Sequence, residues 1–260
     1  MKKIVSFILA LSLLAVCAVS FASCSKDDKN VLKMATNAAF PPYEFYEGEK
    51  IVGIDAEIAE LIAKDLGMTL QIVDTEFDSI ITGVTEGKYD FGMAGMTVTE
   101  DRLKNVNFST SYAKGVQVII VKNDSPITSI DDLSADGATY KIGVQQGTTG
   151  DIYASDTPKN GGFGEDRVTS YNTGAEAVLA LTTGKVDCVI IDNEPAKSYV
   201  KTYEGLKILD TEYVEEDYAI CVSKDNADLL KKINDSLKKN TENGEIQKII
   251  DKYIKADSAK

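Results

Sequence analysis

Short apolar runs alternate along the chain with segments whose apolar positions recur every three or four residues. The runs at 31–36, 69–73, 89–93, 116–121, 140–144 and 218–222 have the length and composition of strands. Between the first two, an amphipathic helix is predicted, with Asp55 as its cap and Gly67 at its end. Strand, helix and strand in this order predict parallel sheets with right-handed crossovers, and hence an α/β protein.

One helix, turn and strand pattern occurs twice. Residues 81–96 align with residues 178–193, and each segment has an apolar helix, the tetrapeptide Gly-Lys-x-Asp and an apolar run. In this alignment Gly95 lies opposite Asp192. If each unit ends its strand at the same edge of its own sheet, the two edges face one another across a cleft, where α/β sheets usually bind ligands.

The segment that follows the first copy of this pattern predicts an anion site. Gly95 and Thr97 lie in a polar turn, and Arg102 follows at the start of a helix. At such a strand end, glycine lets a ligand approach the backbone, the helix start offers free amides, and a guanidinium can bind a carboxylate through two parallel hydrogen bonds. The alternative is that Arg102 only forms a surface ion pair with Glu100 or Asp101.

Asp192, on the opposite lip of the predicted cleft, supplies the complementary charge. Its carboxylate suits an ammonium group, whereas the alternative is a helix cap for the segment that follows. A ligand with a carboxylate and an ammonium a few ångströms apart would satisfy both Arg102 and Asp192. The two lips together therefore favour an amino acid.

Two aromatic residues and one further loop add candidate contacts. Phe40 and Phe77 follow predicted strands and either cover a ligand or pack in the core. Thr149 lies where a strand passes through glycine into a helix, which makes a polar seat with free amides, although simple capping would also explain it. Gln145 or Gln146 is a candidate reader of the ligand side chain. This loop lacks the lysine of a phosphate-binding loop, so no nucleotide site is predicted.

Composition narrows the class of function. The chain has no histidine, which removes the commonest general base and the commonest metal ligand, so neither a metal site nor a cofactor is expected. A net charge of -13 argues against a nucleic-acid surface. Cys188 and Cys221 each lie within an apolar run, and we expect buried thiols there because a disulfide framework needs more cysteines.

The first 30 residues predict export. A basic start, an apolar stretch and small residues before Cys24 indicate a signal peptide at 1–23. The segment resembles a lipoprotein signal, in which Cys24 is acylated, although Phe21 departs from the usual aliphatic residue and plain secretion is the alternative. Residues 24–30 form a hydrophilic tether. No later stretch is long and apolar enough to cross a bilayer, so we expect a body anchored outside the cell membrane.

Residues 94–102, 108–109 and 144–149, together with the repeat that ends at Asp192, resemble the extracytoplasmic amino-acid-binding proteins of ABC importers, bacterial solute-binding protein family 3. The resemblance extends from about Val31 to the last helix. It implies a two-lobed periplasmic-binding-protein-like fold of type II, each lobe a mainly parallel sheet flanked by helices. Lobe 1 would comprise 31–113 plus 217–260 and lobe 2 would comprise 114–216, with hinge crossings near 112–116 and 213–217.

The resemblance also implies roles for individual residues. Arg102 would bind the ligand α-carboxylate, while Asp192 and the Gly95 carbonyl would bind the α-ammonium. Asn37 stands where several relatives have an aspartate, a departure that weakens the prediction of a strongly cationic ligand. The full set of predicted ligand-binding residues is Asn37, Phe40, Phe77, Gly95, Met96, Thr97, Arg102, Gln146, Thr149 and Asp192.

The predicted function is high-affinity capture of an amino acid and its delivery to an ABC permease and ATPase, by a monomer that touches the membrane only through its lipid anchor. A polar, glutamine-like ligand is expected first, a basic amino acid second and cystine after them. One alternative is a hydro-lyase of the cyclohexadienyl dehydratase type, which the absent histidines and Asp192 oppose. Another is a surface sensor that binds an amino acid without transport.

Overall fold

The computed structural model describes residues 30–210 and 214–258, with side chains up to residue 254. The predicted signal peptide, the predicted acylation site at Cys24, nearly all of the predicted tether and Tyr213 of the predicted hinge lie outside the described residues. The described residues from Leu32 onward belong to one compact unit. Within the described part of the chain, no helix has the length and apolar character needed to span a membrane.

Strands and helices alternate through most of the chain. The strands are β1 (Val31–Thr36), β2 (Ala39–Phe40), β3 (Glu44–Glu47), β4 (Lys50–Val52), β5 (Thr69–Asp74), β6 (Phe91–Gly92), β7 (Val106–Phe108), β8 (Ala113–Lys122), β9 (Ile142–Gln145), β10 (Val168–Tyr171), β11 (Cys188–Asp192), β12 (Leu206–Ile208), β13 (Val214–Tyr218) and β14 (Cys221–Ser223). The helices are α1 (Ile54–Leu66), α2 (Ile80–Thr85), α3 (Glu100–Leu103), α4 (Ile130–Ser134), α5 (Thr149–Ser155), α6 (Gly174–Thr182), α7 (Asn193–Thr202), α8 (Ala227–Glu242) and α9 (Glu245–Ser258).

Two separate sheets form the cores of two lobes, as the sequence predicts. The first sheet has the strand order β5-β1-β6-β14-β7, and the second has the order β10-β9-β11-β8-β12, with β13 also paired to β8. Parallel pairs such as β1 with β6 and β9 with β11 coexist with antiparallel pairs around β8 and β14. The sheets are therefore mixed, because the strands that return from one sheet to the other run antiparallel to their neighbours.

Two elements differ from the sequence prediction. Helix α1 begins after Gly53 rather than at a capping Asp55, whose side chain is fully buried instead. The predicted strand 218–222 is a corner, at which β13 ends on Tyr218 and β14 begins on Cys221. The corner arises because the chain leaves the second sheet there and enters the first. The end of α1 at Gly67, in the left-handed conformation with φ 68°, is as predicted.

The repeated tetrapeptide has the same structural role in both lobes. Gly87 and Gly184 both adopt a left-handed conformation, with φ of 74° and 73°. Three residues after each glycine, Asp90 Oδ2 and Asp187 Oδ2 each accept a backbone N–H at 2.7 Å, from Lys33 and from a second lysine, Lys141. Lys33 is the third residue of β1, and Lys141 immediately precedes β9. The internal repeat is therefore confirmed in the structure: in each lobe, the turn connects a helix to a strand, and its aspartate is hydrogen-bonded to the backbone of the neighbouring parallel strand or of the residue before it.

Candidate functional site

A cavity lies where the carboxyl ends of the strands of both sheets meet. Strands β1 and β6 deliver wall residues from the first sheet, and β9 and β11 deliver them from the second. This is the edge at which α/β sheets usually bind ligands. The lining residues are Asn37, Phe40, Glu44, Phe77, Ala94, Gly95, Thr97, Arg102, Gln145, Thr148, Thr149 and Asp192.

Eight of the ten predicted ligand-binding residues line this cavity, and two lie elsewhere. Met96 is 1% exposed and packs in the apolar core of its lobe. Gln146 lies outside the wall, where its Nε2 donates to Asp78 Oδ2 at 2.8 Å. The neighbouring residues Gly95, Thr97 and Gln145 line the cavity instead.

Arg102 is the cation of the site. Its side chain is buried beside the Phe77 ring, with the guanidinium carbon 5.3 Å from the ring centroid. Nη1 donates to the Thr97 carbonyl at 2.7 Å and Nη2 to the Gly147 carbonyl at 3.0 Å. Among the described residues no carboxylate forms an ion pair with it, contrary to the surface-pair alternative. A buried guanidinium with N–H groups to spare is suited to a ligand carboxylate.

Asp192 provides a buried anion on the opposite wall. It precedes α7, but its side chain caps no backbone N–H; it accepts a hydrogen bond from the Tyr218 hydroxyl instead. Burial, followed by the negative charge of Glu216, raises the pKa of the Asp192 carboxyl to about 7. A ligand ammonium at this wall would restore its ionised form.

Glu216, on β13, is a buried acid that the sequence analysis did not identify. Its Oε2 accepts hydrogen bonds from Thr97 Oγ1 and Gln117 Nε2, each at 3.0 Å. It thereby links the first lobe to both strands that run between the lobes. Glu216 does not line the cavity, but it lies directly behind Asp192.

Glu44 and Asp55 form a second acidic pair, also missed at the level of sequence. Glu44 lines the cavity, both carboxyls are fully buried, and neither Glu44 oxygen accepts an N–H or O–H from the described residues. Asp55 Oδ2 accepts from the Gly95 N–H and the Tyr112 hydroxyl, each at 2.8 Å. Burial, and then the charge of Asp55, raises the pKa of Glu44 well above its usual range.

The alternation of strand β3 could have revealed Glu44. Glu44 comes shortly after two prolines and lies between Tyr43 and Phe45. Because side chains alternate between the two faces of a strand, Glu44 faces the opposite side from its two aromatic neighbours. Tyr43 is nonetheless also buried, because it closes the preceding turn. No local pattern marks Glu216 or Asp55, whose proximity to the cavity depends on the tertiary fold.

The remaining predicted residues shape the wall. A Cβ on Gly95 would lie 2.8 Å from Phe40 Cε1, so glycine allows the Phe40 ring to pack over the turn. Thr149 Oγ1 accepts from Gln117 Nε2 at 3.4 Å, while capping of α5 belongs to Thr148, whose Oγ1 accepts from the Asp151 N–H. The capping alternative therefore applies to Thr148 and leaves Thr149 facing the cavity.

The charges of the wall are unequal. Among the described residues that line the cavity, Arg102 carries the single positive charge, whereas Glu44 and Asp192 are acids. Asp55 and Glu216 add two more carboxyls immediately behind them. A ligand with one carboxylate and more than one cationic group would match the single cation and the several acids of this wall.

Comparisons with known proteins agree with this architecture. The family model of bacterial extracellular solute-binding proteins, family 3, matches residues 32–256. The arginine-binding extracellular protein ArtP of Bacillus subtilis (strain 168) is 34% identical over 236 residues, which cover 89% of each chain.

Two solved structures of an ancestral arginine-binding protein are also similar. The form bound to arginine is 38% identical with a TM-score of 0.78 and covers 87% of this chain and 99% of its own. The form bound to glutamine is 37% identical with a TM-score of 0.78 and covers 86% and 98%. These relatives are binding proteins and not enzymes, which decides against the hydro-lyase alternative. The chain belongs to family 3 of the bacterial extracellular solute-binding proteins.

Proposed function

We propose that this protein captures a basic amino acid, with arginine as the expected ligand, in the cavity between its two lobes and delivers it to an ABC permease. The observation that carries the proposal is Glu44, a fully buried carboxyl on the cavity wall whose oxygens have no donor among the described residues. A guanidinium or ammonium at the end of a ligand side chain would supply that donor and its charge.

In this proposal each group of arginine has a counterpart on the wall. Arg102 binds the α-carboxylate, with the Thr149 hydroxyl as a neutral donor and Thr97 beside it. Asp192 and the Gly95 carbonyl bind the α-ammonium. Phe40 and Phe77 flank the aliphatic part of the arginine side chain. The guanidinium at its end binds Glu44, and Asn37 lines the cavity beside these residues.

The relatives support a basic ligand over the glutamine-like ligand favoured by the sequence. Several are named for arginine, among them the ArtP protein described above. Glutamine remains the second candidate, because the similar ancestral protein also has a structure with glutamine bound. The amide groups that first favoured glutamine are engaged elsewhere: Gln145 Nε2 donates to Asn37 Oδ1, and Gln146 bonds to Asp78.

Capture proceeds by closure of the lobes. The proposed lobes are 31–113 plus 217–260 and 114–216, with the crossings in β8 and near β13, where the two strands pair with each other. Closure expels water, so the charge pairs act at lower dielectric. A permease then recognises the closed form. We further propose that Cys24 is acylated, that the monomer is thereby held at the outer face of the membrane, and that the permease operates with an ATPase.

A binding screen tests this function. The purified protein is titrated calorimetrically with arginine, lysine, histidine, glutamine and cystine, and its melting temperature is recorded with each. Arginine is expected to bind most tightly, and Glu44→Gln is expected to weaken arginine far more than glutamine. Equal losses for both ligands in Glu44→Gln would contradict the assignment of Glu44 to the side chain.

A further inference from the structure

Gln117 on β8 and Glu216 on β13 lie on the same face of the second sheet. These strands are antiparallel neighbours, and Gln117 stands opposite Val214. Glu216 follows Val214 by two residues, and side chains two residues apart on a strand share a face, so Glu216 is the diagonal neighbour of Gln117. On its other side, Gln117 stands opposite Asp192 of β11. The buried pair therefore lies directly behind the cavity wall that carries Asp192.

A chain of hydrogen bonds connects this pair to two hydroxyl groups of the cavity wall. Glu216 Oε2 accepts from Thr97 Oγ1 and from Gln117 Nε2, each at 3.0 Å. Gln117 Nε2 also donates to Thr149 Oγ1 at 3.4 Å. Thr97 and Thr149 both line the cavity, whereas the two residues that connect them do not.

The direction of each bond follows from the chemistry of the groups. A carboxylate only accepts, so Glu216 receives one hydrogen from the Thr97 hydroxyl and another from the Gln117 amide. The amide nitrogen of Gln117 therefore faces Glu216, and its second hydrogen is directed to Thr149. Gly150 makes room for this orientation, because a Cβ there would lie 3.0 Å from Gln117 Oε1.

The two hydroxyl groups are left with opposite polarity toward the cavity. Thr97 gives its hydrogen to Glu216, so its oxygen can only accept from a ligand. Thr149 accepts from Gln117, and among the described residues no acceptor takes the hydrogen of its hydroxyl. That hydrogen is available to an anion in the cavity.

We propose that Gln117 and Glu216 are positioning residues for ligand capture, which hold Thr149 as a donor to the ligand α-carboxylate and Thr97 as an acceptor. The inference rests on the proposed function and extends it to two residues that do not line the cavity. Every α-amino acid has the same α-carboxylate and α-ammonium. The pair should therefore set the overall affinity and leave the preference between arginine and glutamine unchanged.

A double-mutant cycle tests whether Gln117 acts through Thr149. Calorimetry gives the affinities for arginine and for glutamine of the wild type, Thr149→Val, Gln117→Met and the double variant. Thr149→Val removes the hydroxyl at nearly constant volume and should weaken both ligands by about tenfold. Gln117→Met should weaken both as well. In the Thr149→Val background it should cost less than about twofold, because the hydroxyl that Gln117 positions is already absent.

Glu216 is tested with a conservative and an apolar variant. Glu216→Gln keeps a side-chain oxygen that can accept from Thr97 and Gln117, whereas Glu216→Met has a similar length and keeps none. Glu216→Gln should therefore retain most of the affinity that Glu216→Met loses, for both ligands. Equal losses in the two variants would place the role in the charge of Glu216 and overturn its role as a hydrogen-bond acceptor.

The outcomes separate this inference from the proposed function. Losses that multiply to about a hundredfold in the double variant, or that affect one ligand alone, would overturn the role of Gln117. A protein that binds glutamine and not arginine would overturn the basic ligand, while the same cycle with glutamine still decides on Gln117. Binding of neither would overturn both. Circular dichroism identifies any loss of fold, and Gln117→Asn, whose amide is one methylene shorter, replaces Gln117→Met if that variant does not fold.

Discussion

Gln145 donates a hydrogen bond from its side-chain amide to Asn37 Oδ1 at 2.9 Å, and so joins the two lobes across the cavity. Asn37 in turn donates to the Thr75 carbonyl at 2.9 Å. The amide of Asn37 is thus committed to the protein on both sides. Its neutrality does not exclude a cationic ligand, because an acidic side chain lines the cavity at Glu44 instead.

Removing this bond should weaken binding without changing its selectivity. Gln145→Ala is expected to lower the affinity for arginine and for glutamine by a similar factor, chiefly through faster dissociation, since it destabilises the closed form. Stopped-flow dissociation rates measure this effect. Gln247→Ala, which removes an exposed bond to Asp251 within one helix, is the matched control with a smaller change. A loss confined to glutamine would instead make Gln145 a reader of the ligand amide.

Arg102→Ala should abolish measurable binding. It strips a ligand carboxylate of its buried partner, at a cost of about 2–5 kcal/mol. The unliganded variant should remain folded, because the loss of two hydrogen bonds to carbonyls is offset by the removal of a buried cation without an ion-pair partner. Arg167→Ala is the matched control: Arg167 donates to the carbonyls of Tyr140 and Leu133, so its loss should lower the melting temperature and leave the affinity intact. Retained affinity in Arg102→Ala would refute the anion site.

The unliganded protein should lose stability as the pH rises from about 4 to about 7. Burial raises the pKa of Asp192 to about 7 and that of Asp55 to about 6, both from an ordinary value of 3.8. The native state therefore holds protons that the unfolded state has released, and the free energy of unfolding falls over this interval. Urea unfolding at a series of pH values tests the sign. Asp192→Asn should reduce the slope of the free energy of unfolding against pH. A wild-type protein that becomes more stable over this interval would contradict the raised pKa values of Asp192 and Asp55.

The two copies of the Gly-Lys-x-Asp turn should have comparable energetic roles. Asp90→Ala and Asp187→Ala each remove the acceptor of one backbone N–H, at an expected cost of about 1 kcal/mol in the free energy of unfolding. Urea unfolding of both variants gives the comparison, with Asp136→Ala on the surface as a control. If one variant loses much of its free energy of unfolding and the other loses none, the two turns share a sequence pattern but not an energetic role.

Much of the fold was predictable because its signals are local. Apolar runs, Gly67 at the end of a helix and the repeated turn each depend on a few neighbouring residues. The anion site at Arg102 was predictable for the same reason, since glycine, hydroxyl groups and arginine lie within one segment. Asp192 could be predicted as a site residue from the alignment of the two repeats alone.

The acidic partners were not predictable, because they depend on distant packing. Asp55 was expected to cap a helix, as acids before helices commonly do, yet Gly53 takes that position and Asp55 turns inward to hold the Gly95 turn. Glu216 lies on a strand that pairs with a strand about a hundred residues earlier in the chain. The sequence favoured a neutral ligand on the amide groups of Asn37, Gln145 and Gln146, because these acids were not among its candidate residues.

Calorimetric titration of the purified protein with arginine and with glutamine, at one neutral pH and in parallel with Glu44→Gln, tests the central claim most directly. The account predicts a single arginine site of higher affinity than the glutamine site in the wild type, and a loss of that preference in the variant. A wild-type protein that prefers glutamine, or a variant that keeps its preference for arginine, would contradict the assignment of the buried Glu44 carboxyl to a cationic side chain.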